Sequence, residues 1–149
     1  MLTVKRAKLT DITEIAKLYE GYLTFYEVDT TNKDPEAFLK ERVQNNESAI
    51  YYVTNEKNEY LGFMQLYPLF CSLEMKKTWL LYDLYVDVKF RKNGVAQLLL
   101  DTADTLASET DSSFLMLSTG IDNLQAQSLY EKNDYIRDNE FYTYNKHIG

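Results

Sequence analysis

The stretch Leu80–Ala107, LLYDLYVDVKFRKNGVAQLLLDTADTLA, decides the fold, because it runs from an apolar strand through a basic glycine turn into a helix. The segment Trp79–Val86 is aromatic and β-branched and alternates around Asp83, which predicts a buried strand. The turn Arg91–Gly94 holds two cations and a glycine, and apolar residues recur at helical spacing from Ala96 onwards. A strand, a basic glycine turn and a helix in this order predict a cradle for an anion.

The physical basis of such a cradle is the start of the helix. The first N–H groups of a helix have no internal partner and lie at the positive end of its dipole, so they can bind phosphate oxygens. Gly94 allows the backbone to approach a ligand closely. An ordinary strand-to-helix turn with surface cations is the alternative that the spacing leaves open.

The positions of Val86, Arg91, Gly94 and Ala96 resemble the acetyl-CoA signature of the GNAT superfamily of N-acetyltransferases, V-x-(P)-x-x-[RQ]-x-x-G-x-[GA]. Val88 stands where that family usually has proline, and Ala96 stands where it usually has the last glycine. The resemblance implies acetyl-CoA as cosubstrate, with no metal, and a pyrophosphate bound by the backbone of the turn. The cofactor-binding residues that it implies in this stretch are Leu84, Tyr85, Val86, Arg91, Lys92, Asn93, Gly94, Val95 and Ala96.

A second segment, Asn123–Tyr135, is similar to the N-x-x-A-x-x-L-Y-E-K-x-G-[FY] segment of the same family. It implies that Tyr130 is the general acid for the departing thiolate, and a phenol with a pKa of about 10 can donate a proton at neutral pH. It also implies cofactor contacts for Asn123, Ala126 and Lys132. Capping of the following helix is an alternative role for Asn123.

A carboxylate inside the apolar strand is the candidate for the amine side of the reaction. Asp83 is costly to bury unless it is partnered or functional. The surrounding L-Y-D-L-Y-V resembles the L-E-D-F-F-V of spermidine/spermine and thialysine acetyltransferases, and Tyr26 and Glu27 resemble the Tyr-Glu pair after their first helix. In those enzymes acidic residues receive the ammonium groups of the substrate, which implies substrate-binding roles for Tyr26, Glu27 and Asp83. A primary amine must also lose a proton at neutral pH, so a base or a water chain is needed. Asp83 and Glu27 are the candidates, and Asp83 is expected to be catalytic. Tyr82 stands where they have glutamate, so the site here has one carboxylate fewer.

Both acidic candidates have structural alternatives. Asp83 could form an ion pair with Arg91, Lys89 or another cation, and Glu27 could be a solvated loop charge.

The resemblance implies direct acetyl transfer from acetyl-CoA to a primary amine of a small cationic substrate, such as a polyamine, a diamine or a lysine-like amino acid. Acetylation of a protein lysine or N-terminus is a second hypothesis. A non-catalytic regulator that binds acetyl-CoA is a third.

The amino-acid composition limits the classes of molecule that the protein can be expected to bind. The net charge of −7 disfavours nucleic acid and anionic membranes and favours a cationic substrate. A polar start, the lack of a long apolar run and the single Cys71 predict a cytoplasmic location. A Cys/His catalytic pair is disfavoured because the only histidine, His147, lies in the C-terminal tail. A homodimer is expected, since the family is often dimeric and the C-terminal aromatic residues offer a surface.

The periodicity predicts one N-acetyltransferase domain over 1–149, with the order β-α-α-β-β-β-α-β-α-β-β. This is an α/β GNAT fold with a mixed central sheet of about seven strands and helices on both faces. The strands besides Trp79–Val86 are expected at Leu2–Arg6, Ala49–Thr54, Tyr60–Tyr67, Phe114–Ser118, Tyr135–Arg137 and Phe141–Asn145. The helices besides the one after the turn are expected from a capping box at Asp11 and Glu14 to Phe25 or Tyr26, from Pro35 to Gln44 with Asp34 as cap, and over Leu124–Lys132. Pro68 is expected to end the third strand, with a loop over Leu69–Lys77.

Overall fold

A computed structural model describes residues 1–149, which divide into two compact units, Met1–Leu117 and Ser118–Gly149. The first unit contains five strands and three helices, and the second contains one helix. In chain order these elements are β1 (Thr3–Arg6), α1 (Ile12–Phe25), α2 (Pro35–Gln44), β2 (Ala49–Thr54), β3 (Tyr60–Cys71), β4 (Lys76–Val86), α3 (Val95–Glu109), β5 (Leu115–Met116) and α4 (Leu124–Lys132). None of the helices combines the length and the apolar character needed to cross a bilayer.

The sheet has the strand order β1-β2-β3-β4-β5, with antiparallel pairs up to β4 and a parallel pair between β4 and β5. The parallel pair is possible because α3 is the crossover that connects the end of β4 to the start of β5, so that both strands run in the same direction. The expected mixed α/β sheet with flanking helices is thereby confirmed, with five strands instead of about seven.

Alternation along β3 assigns the two faces of the sheet. Phe63 points to the face covered by α1, where its ring meets the ring of Tyr19 edge-on at 6.1 Å. The neighbouring Gly62 points to the α3 face, where an added Cβ would lie 3.0 Å from Val95 Cγ1 and 2.8 Å from the carbonyl oxygen of Tyr85. A side chain at position 62 would therefore separate α3 from the sheet. The core on the α1 face consists of Ile12, Ile15, Leu18, Leu39, Ile50, Tyr52 and Phe63.

The third and fourth strands are longer than the sequence predicts. Pro68 does not end β3, which continues to Cys71, and most of the predicted loop Leu69–Lys77 is strand. Pro68 is tolerated because pairing with β2 stops at Leu66, so that beyond this residue β3 is an edge on that side and needs no N–H there.

The two C-terminal strands are absent, and the expectation of strands at Tyr135–Arg137 and Phe141–Asn145 is wrong. The Asp138 carboxylate accepts hydrogen bonds from the N–H groups of Glu140 and Phe141, at 2.8 and 3.0 Å. These local bonds compete with a strand ladder, and an isolated hairpin of this length is marginal in water. The fifth strand is also shorter than the predicted Phe114–Ser118.

Of the two predictions for the starts of α1 and α2, the one for α2 is confirmed and the one for α1 is wrong. Asp34 caps α2 by accepting the N–H of Ala37 at 3.0 Å, with Pro35 in the first turn, as the sequence predicts. Asp11 does not cap α1 with its side chain, so the predicted capping box with Glu14 is wrong. Its carboxylate accepts the N–H of Lys8 instead, at 2.8 Å, because a short 3-10 turn precedes the helix.

Candidate active site

The turn after β4 is held by its own side chains. Arg91 Nε donates to the carbonyl of Val86 at 3.0 Å, and Asn93 Nδ2 donates to the carbonyls of Phe90 and Arg91, each at 3.2 Å. Lys92 and Gly94 have positive φ angles of 66° and 83°. Only glycine adopts such a conformation without strain, which explains Gly94 at the position before α3.

The start of α3 fits an anion such as a pyrophosphate. No side chain caps this helix, so its first-turn N–H groups remain available to a ligand. A Cβ built on Gly94 would meet no atom within 4 Å, so the space above the turn is open. Neither Arg91 nor Lys92 forms an ion pair with a carboxylate. The turn therefore offers backbone donors and two cations to an incoming anion.

The centre of β4 is irregular. The register between β3 and β4 shifts so that Gln65 faces Asp83 while Leu66 faces Leu81, which leaves Tyr82 as a bulge. On the other side of β4, pairing with β5 stops at Leu80. The sheet therefore gives Leu84, Tyr85 and Val86 a strand partner in β3 alone.

Asp83 is buried, with 4% of its surface exposed, and no cation pairs with it. The alternative of an ion pair with Arg91 or Lys89 is therefore wrong. Its Oδ2 accepts a hydrogen bond from Gln65 Nε2 at 2.8 Å. Burial raises the pKa of the Asp83 carboxyl above its usual value, and the hydrogen bond from Gln65 and the hydroxyl of the adjacent Tyr22 oppose this rise.

Three tyrosines surround this carboxylate on the α1 face, and a fourth adjoins it along β4. Burial, together with the charge of Asp83, raises the pKa of Tyr19, Tyr22 and Tyr67, so all three stay protonated at neutral pH. Tyr22 donates to the backbone carbonyl of Tyr82 at 3.2 Å. The ring of Tyr82 packs edge-on against that of Tyr67 at 5.8 Å and remains 63% exposed. We call Asp83, Gln65, Ser48, Tyr19, Tyr22, Tyr67 and Tyr82 the Asp83 cluster.

The end of α1 brings one of its two predicted substrate residues toward this cluster. The ring of Tyr26 contacts that of Tyr22 at 5.0 Å and is 51% exposed. Glu27 is exposed, has a φ of 55°, and forms no ion pair. The structure therefore joins Tyr26 to the cluster through Tyr22 and leaves Glu27 as a charge at the surface.

In the second unit, the predicted residues lie on α4. Asn123 Oδ1 accepts the N–H of Ala126 at 3.1 Å and caps the helix. Tyr130 is partly buried, and its ring lies 6.0 Å from that of Tyr135. Lys132 is exposed in the last turn. Asp134, in place of the usual glycine, has a φ of 68° and ends the helix in the left-handed conformation that a glycine would adopt.

Sequence reasoning missed Gln65 and Ser48. Gln65 is fully buried in the middle of β3, and its Oε1 accepts a hydrogen bond from the Ser48 hydroxyl at 2.7 Å. The signal was present, because Gln65 is a lone polar residue in an apolar strand, as Asp83 is. The register that pairs the two residues was not visible in the sequence.

Comparisons with known proteins agree with this geometry. The model of the acetyltransferase (GNAT) family matches residues 15–135. An "uncharacterized N-acetyltransferase" of Bacillus subtilis (strain 168) is 38% identical over 143 residues, which are 96% of this chain and 95% of that protein. The crystal structure of a "probable acetyltransferase" superposes with a TM-score of 0.92 at 35% identity, and the match covers 99% of this chain and 98% of the other.

A more distant solved structure shares the fold. A "predicted acetyltransferase with acetyl-CoA" from Clostridium acetobutylicum superposes with a TM-score of 0.78 at 16% identity, covering 97% of this chain and 96% of the other. The family model covers most of the chain, and the Bacillus relative matches nearly all of it. The chain therefore belongs to the acetyltransferase (GNAT) family, which uses acetyl-CoA, and it is an N-acetyltransferase.

Proposed function

We propose that this N-acetyltransferase transfers an acetyl group directly from acetyl-CoA to a primary amine of a small cationic substrate, such as a polyamine, a diamine or a lysine-like amino acid. One observation carries the proposal: Asp83 is a buried carboxylate without a cation partner. A buried charge of this kind is expensive in a purely structural role. An ammonium group of the substrate is the partner that it lacks, and the net charge of −7 favours the approach of such a substrate.

The cofactor side of the site is built from β4 and the turn. The pyrophosphate would be held by the first-turn N–H groups of α3 and by Arg91 and Lys92, since the turn is uncapped and open. The backbone of Leu84–Val86 would bind the pantetheine and give one N–H to the thioester oxygen. One such donor is worth about 3 kcal/mol in comparable oxyanion holes. Bound acetyl-CoA supplies the thioester carbonyl that the amine attacks.

The amine side requires a base. A primary amine with a pKa of about 10.4 costs about 4.6 kcal/mol to deprotonate at pH 7. We assign this proton to Asp83, because burial raises the pKa of its carboxyl and so makes it a stronger base than an exposed aspartate. The exposed rings of Tyr26 and Tyr82 would pack against the methylene groups of the substrate.

The departing thiolate also needs a proton, which we assign to a residue of α4. The substrate ammonium first gives one proton to Asp83. The neutral amine nitrogen then forms a bond with the acetyl carbon, the carbon–sulfur bond breaks, and the second proton lost by the nitrogen replaces the one that is donated to the thiolate, so the products are the amide, the thiol and a protonated Asp83. We assign the proton for the departing thiolate to Tyr130, on the basis of its place in the family segment. Asn123, Ala126 and Lys132 would contact the cofactor from the same helix.

The test is thiol release from acetyl-CoA measured across polyamines, diamines, amino acids and peptides. We expect small diamines or polyamines to be acetylated with the highest kcat/KM. Gly94→Val should abolish acetyl-CoA binding without unfolding the protein, because valine is strained at a φ of 83°. Tyr130→Phe should keep cofactor affinity and lower turnover by about 100-fold.

The same panel of amine substrates also gives the outcomes that would contradict the proposal. A preference for peptides or protein N-termini over every small amine would replace the proposal with protein acetylation. Acetyl-CoA binding with no turnover on any amine would favour a non-catalytic regulator. Turnover by Tyr130→Phe within a factor of two of the unaltered enzyme would make Tyr130 a packing residue.

A further inference from the structure

The amide of Gln65 is the least explained polar group in the fold. Its side chain is fully buried between β2 and β4, and a buried amide is costly unless both ends are hydrogen-bonded. Both ends are satisfied, by the Ser48 hydroxyl at Oε1 and by the Asp83 carboxylate at Nε2. The three residues form a buried chain that begins just before β2, crosses β3 and ends on β4.

This chain has a direction. A carboxylate accepts hydrogen bonds and donates none, so an ionised Asp83 requires the NH₂ end of the Gln65 amide. The amide oxygen must then point to Ser48, whose hydroxyl donates to it at 2.7 Å. If the amide turned over, its oxygen would face the carboxylate, and two acceptors would repel each other. The ionised Asp83 therefore selects the orientation of the Gln65 amide, and the Ser48 hydroxyl satisfies the amide oxygen in that orientation.

The β-bulge supports a functional role for this series of hydrogen bonds. Tyr82 is the extra residue, and the bulge places Gln65 directly opposite Asp83 in the ladder. Bulges commonly redirect side chains beside active sites. The hydrogen bond from Gln65 occupies one site on Oδ2, and the Tyr22 hydroxyl, which donates to the Tyr82 carbonyl, lies next to the carboxylate. A carboxylate has about four acceptor sites, so acceptor capacity remains for a substrate.

We propose that Gln65, whose amide oxygen is satisfied by Ser48, is a positioning residue for Asp83: it holds Oδ2 and leaves the carboxylate with acceptor capacity to take the proton of the substrate amine. This inference rests on the proposed function, because it assumes that Asp83 is the base. Gln65 itself touches neither substrate nor cofactor.

The main variant is Gln65→Met, which keeps the length of the side chain and removes the donor. The loss of a charge-assisted hydrogen bond makes the ionised form of Asp83 less stable, so the acid limb of kcat/KM against pH should move up by about one to two pH units. The acetyl-CoA Kd should stay within about twofold, because the cradle is untouched. An unchanged pH profile in a folded Gln65→Met protein would overturn the inference.

A double-mutant cycle separates positioning from packing. In an Asp83→Asn background, Gln65→Met should lower kcat/KM no further, because the residue through which Gln65 acts is gone. A second fall of similar size would show that Gln65 acts independently of Asp83 and would overturn the inference.

Ser48 provides the test if Gln65→Met does not fold. Ser48→Ala should shift the acid limb in the same direction by a smaller amount, and Ser48→Thr, which keeps the hydroxyl, should restore it. Wild-type profiles for both variants would contradict the proposed chain.

A carbon NMR titration of the Asp83 carboxyl tests the hydrogen bond from Gln65 separately from the role of Asp83 as the base. A higher pKa in Gln65→Met together with the shifted profile supports the inference. A higher pKa with an unshifted profile would confirm the hydrogen bond but remove Asp83 as the base, and so overturn the inference through the proposed function.

Discussion

Two aspartates of this protein meet tyrosine hydroxyls, and they differ in how fully their oxygens are satisfied. Asp11 lies at the start of α1 and accepts three hydrogen bonds. The N–H of Lys8 donates to Oδ2, and the hydroxyls of Tyr52 and Tyr60 donate to Oδ1 at 3.0 and 3.1 Å. This carboxylate joins the helix to β2 and β3.

Asp83 lies deeper and has fewer donors. Gln65 donates to one oxygen, Tyr22 lies close by, and no cation balances the charge. A charge whose oxygens are filled by protein donors stabilises the fold, whereas a buried charge with spare acceptor capacity is suited to a ligand. The number of acceptor sites filled by protein donors, and not the presence of tyrosines, therefore separates a structural carboxylate from a candidate catalytic one.

The largest effect is expected at Asp83. Asp83→Asn removes the charge with almost no change of shape, and a charge-assisted contact with an ammonium is worth about 1.5 to 3 kcal/mol. The amine KM should therefore rise by about one to two decades, and kcat should fall because the base is lost as well, while acetyl-CoA affinity stays constant. The rise should shrink at high salt, where the wild-type attraction is also screened. Unchanged KM and kcat values for every accepted amine would make Asp83 structural, like Asp11.

The same substitution at Asp11 is the matched control. Asp11→Asn makes the hydrogen bonds from the two tyrosines neutral and puts an NH₂ group, which cannot accept, where Oδ2 accepts the N–H of Lys8. We therefore expect a loss of about 1 to 3 kcal/mol in the free energy of unfolding, measured by urea titration. The amine KM should stay within twofold of wild type. A rise in KM comparable to that of Asp83→Asn would remove the distinction between the two aspartates.

A smaller effect concerns pH. The folded pKa of Asp83 lies above its ordinary value of 3.8, so the folded state binds this proton more tightly than the unfolded chain does. Wild-type stability relative to Asp83→Asn should therefore fall as pH rises from about 4 to the raised pKa, and then level off. The difference between the two urea midpoints, followed over this range, cancels the other titrating groups. A difference that grows with pH would mean that the ionised carboxylate is stabilised by the fold.

The smallest effect is expected at Glu27. This side chain is exposed and forms no ion pair, so its attraction for a cationic amine is weakened by solvent. Glu27→Gln should change the amine KM by less than about threefold, a change that moderate salt removes. A tenfold rise would place Glu27 in direct contact with the bound substrate.

The sequence by itself determined the features that depend on neighbouring residues. The turn before α3, its glycine and the helix that follows were predictable, because the positive φ of Gly94 and the apolar spacing after it are local properties. The cap and bounds of α2 followed from Asp34 and Pro35 for the same reason. Asp83 could be singled out as a charge in an apolar strand.

Only the tertiary structure decided which groups meet these residues. Gln65 reaches Asp83 through a strand register with a bulge, and Tyr52 and Tyr60 reach Asp11 across 41 and 49 residues of chain. Pro68 remains in a strand because β2 begins at Ala49, opposite Leu66, and so has no residue beside Pro68. The C-terminal aromatic runs form no strands although their composition favours them. Local patterns fix backbone conformation within a few residues, but strand pairing and hydrogen-bond partners depend on which distant segments are adjacent, and that is set by the packing of the whole fold.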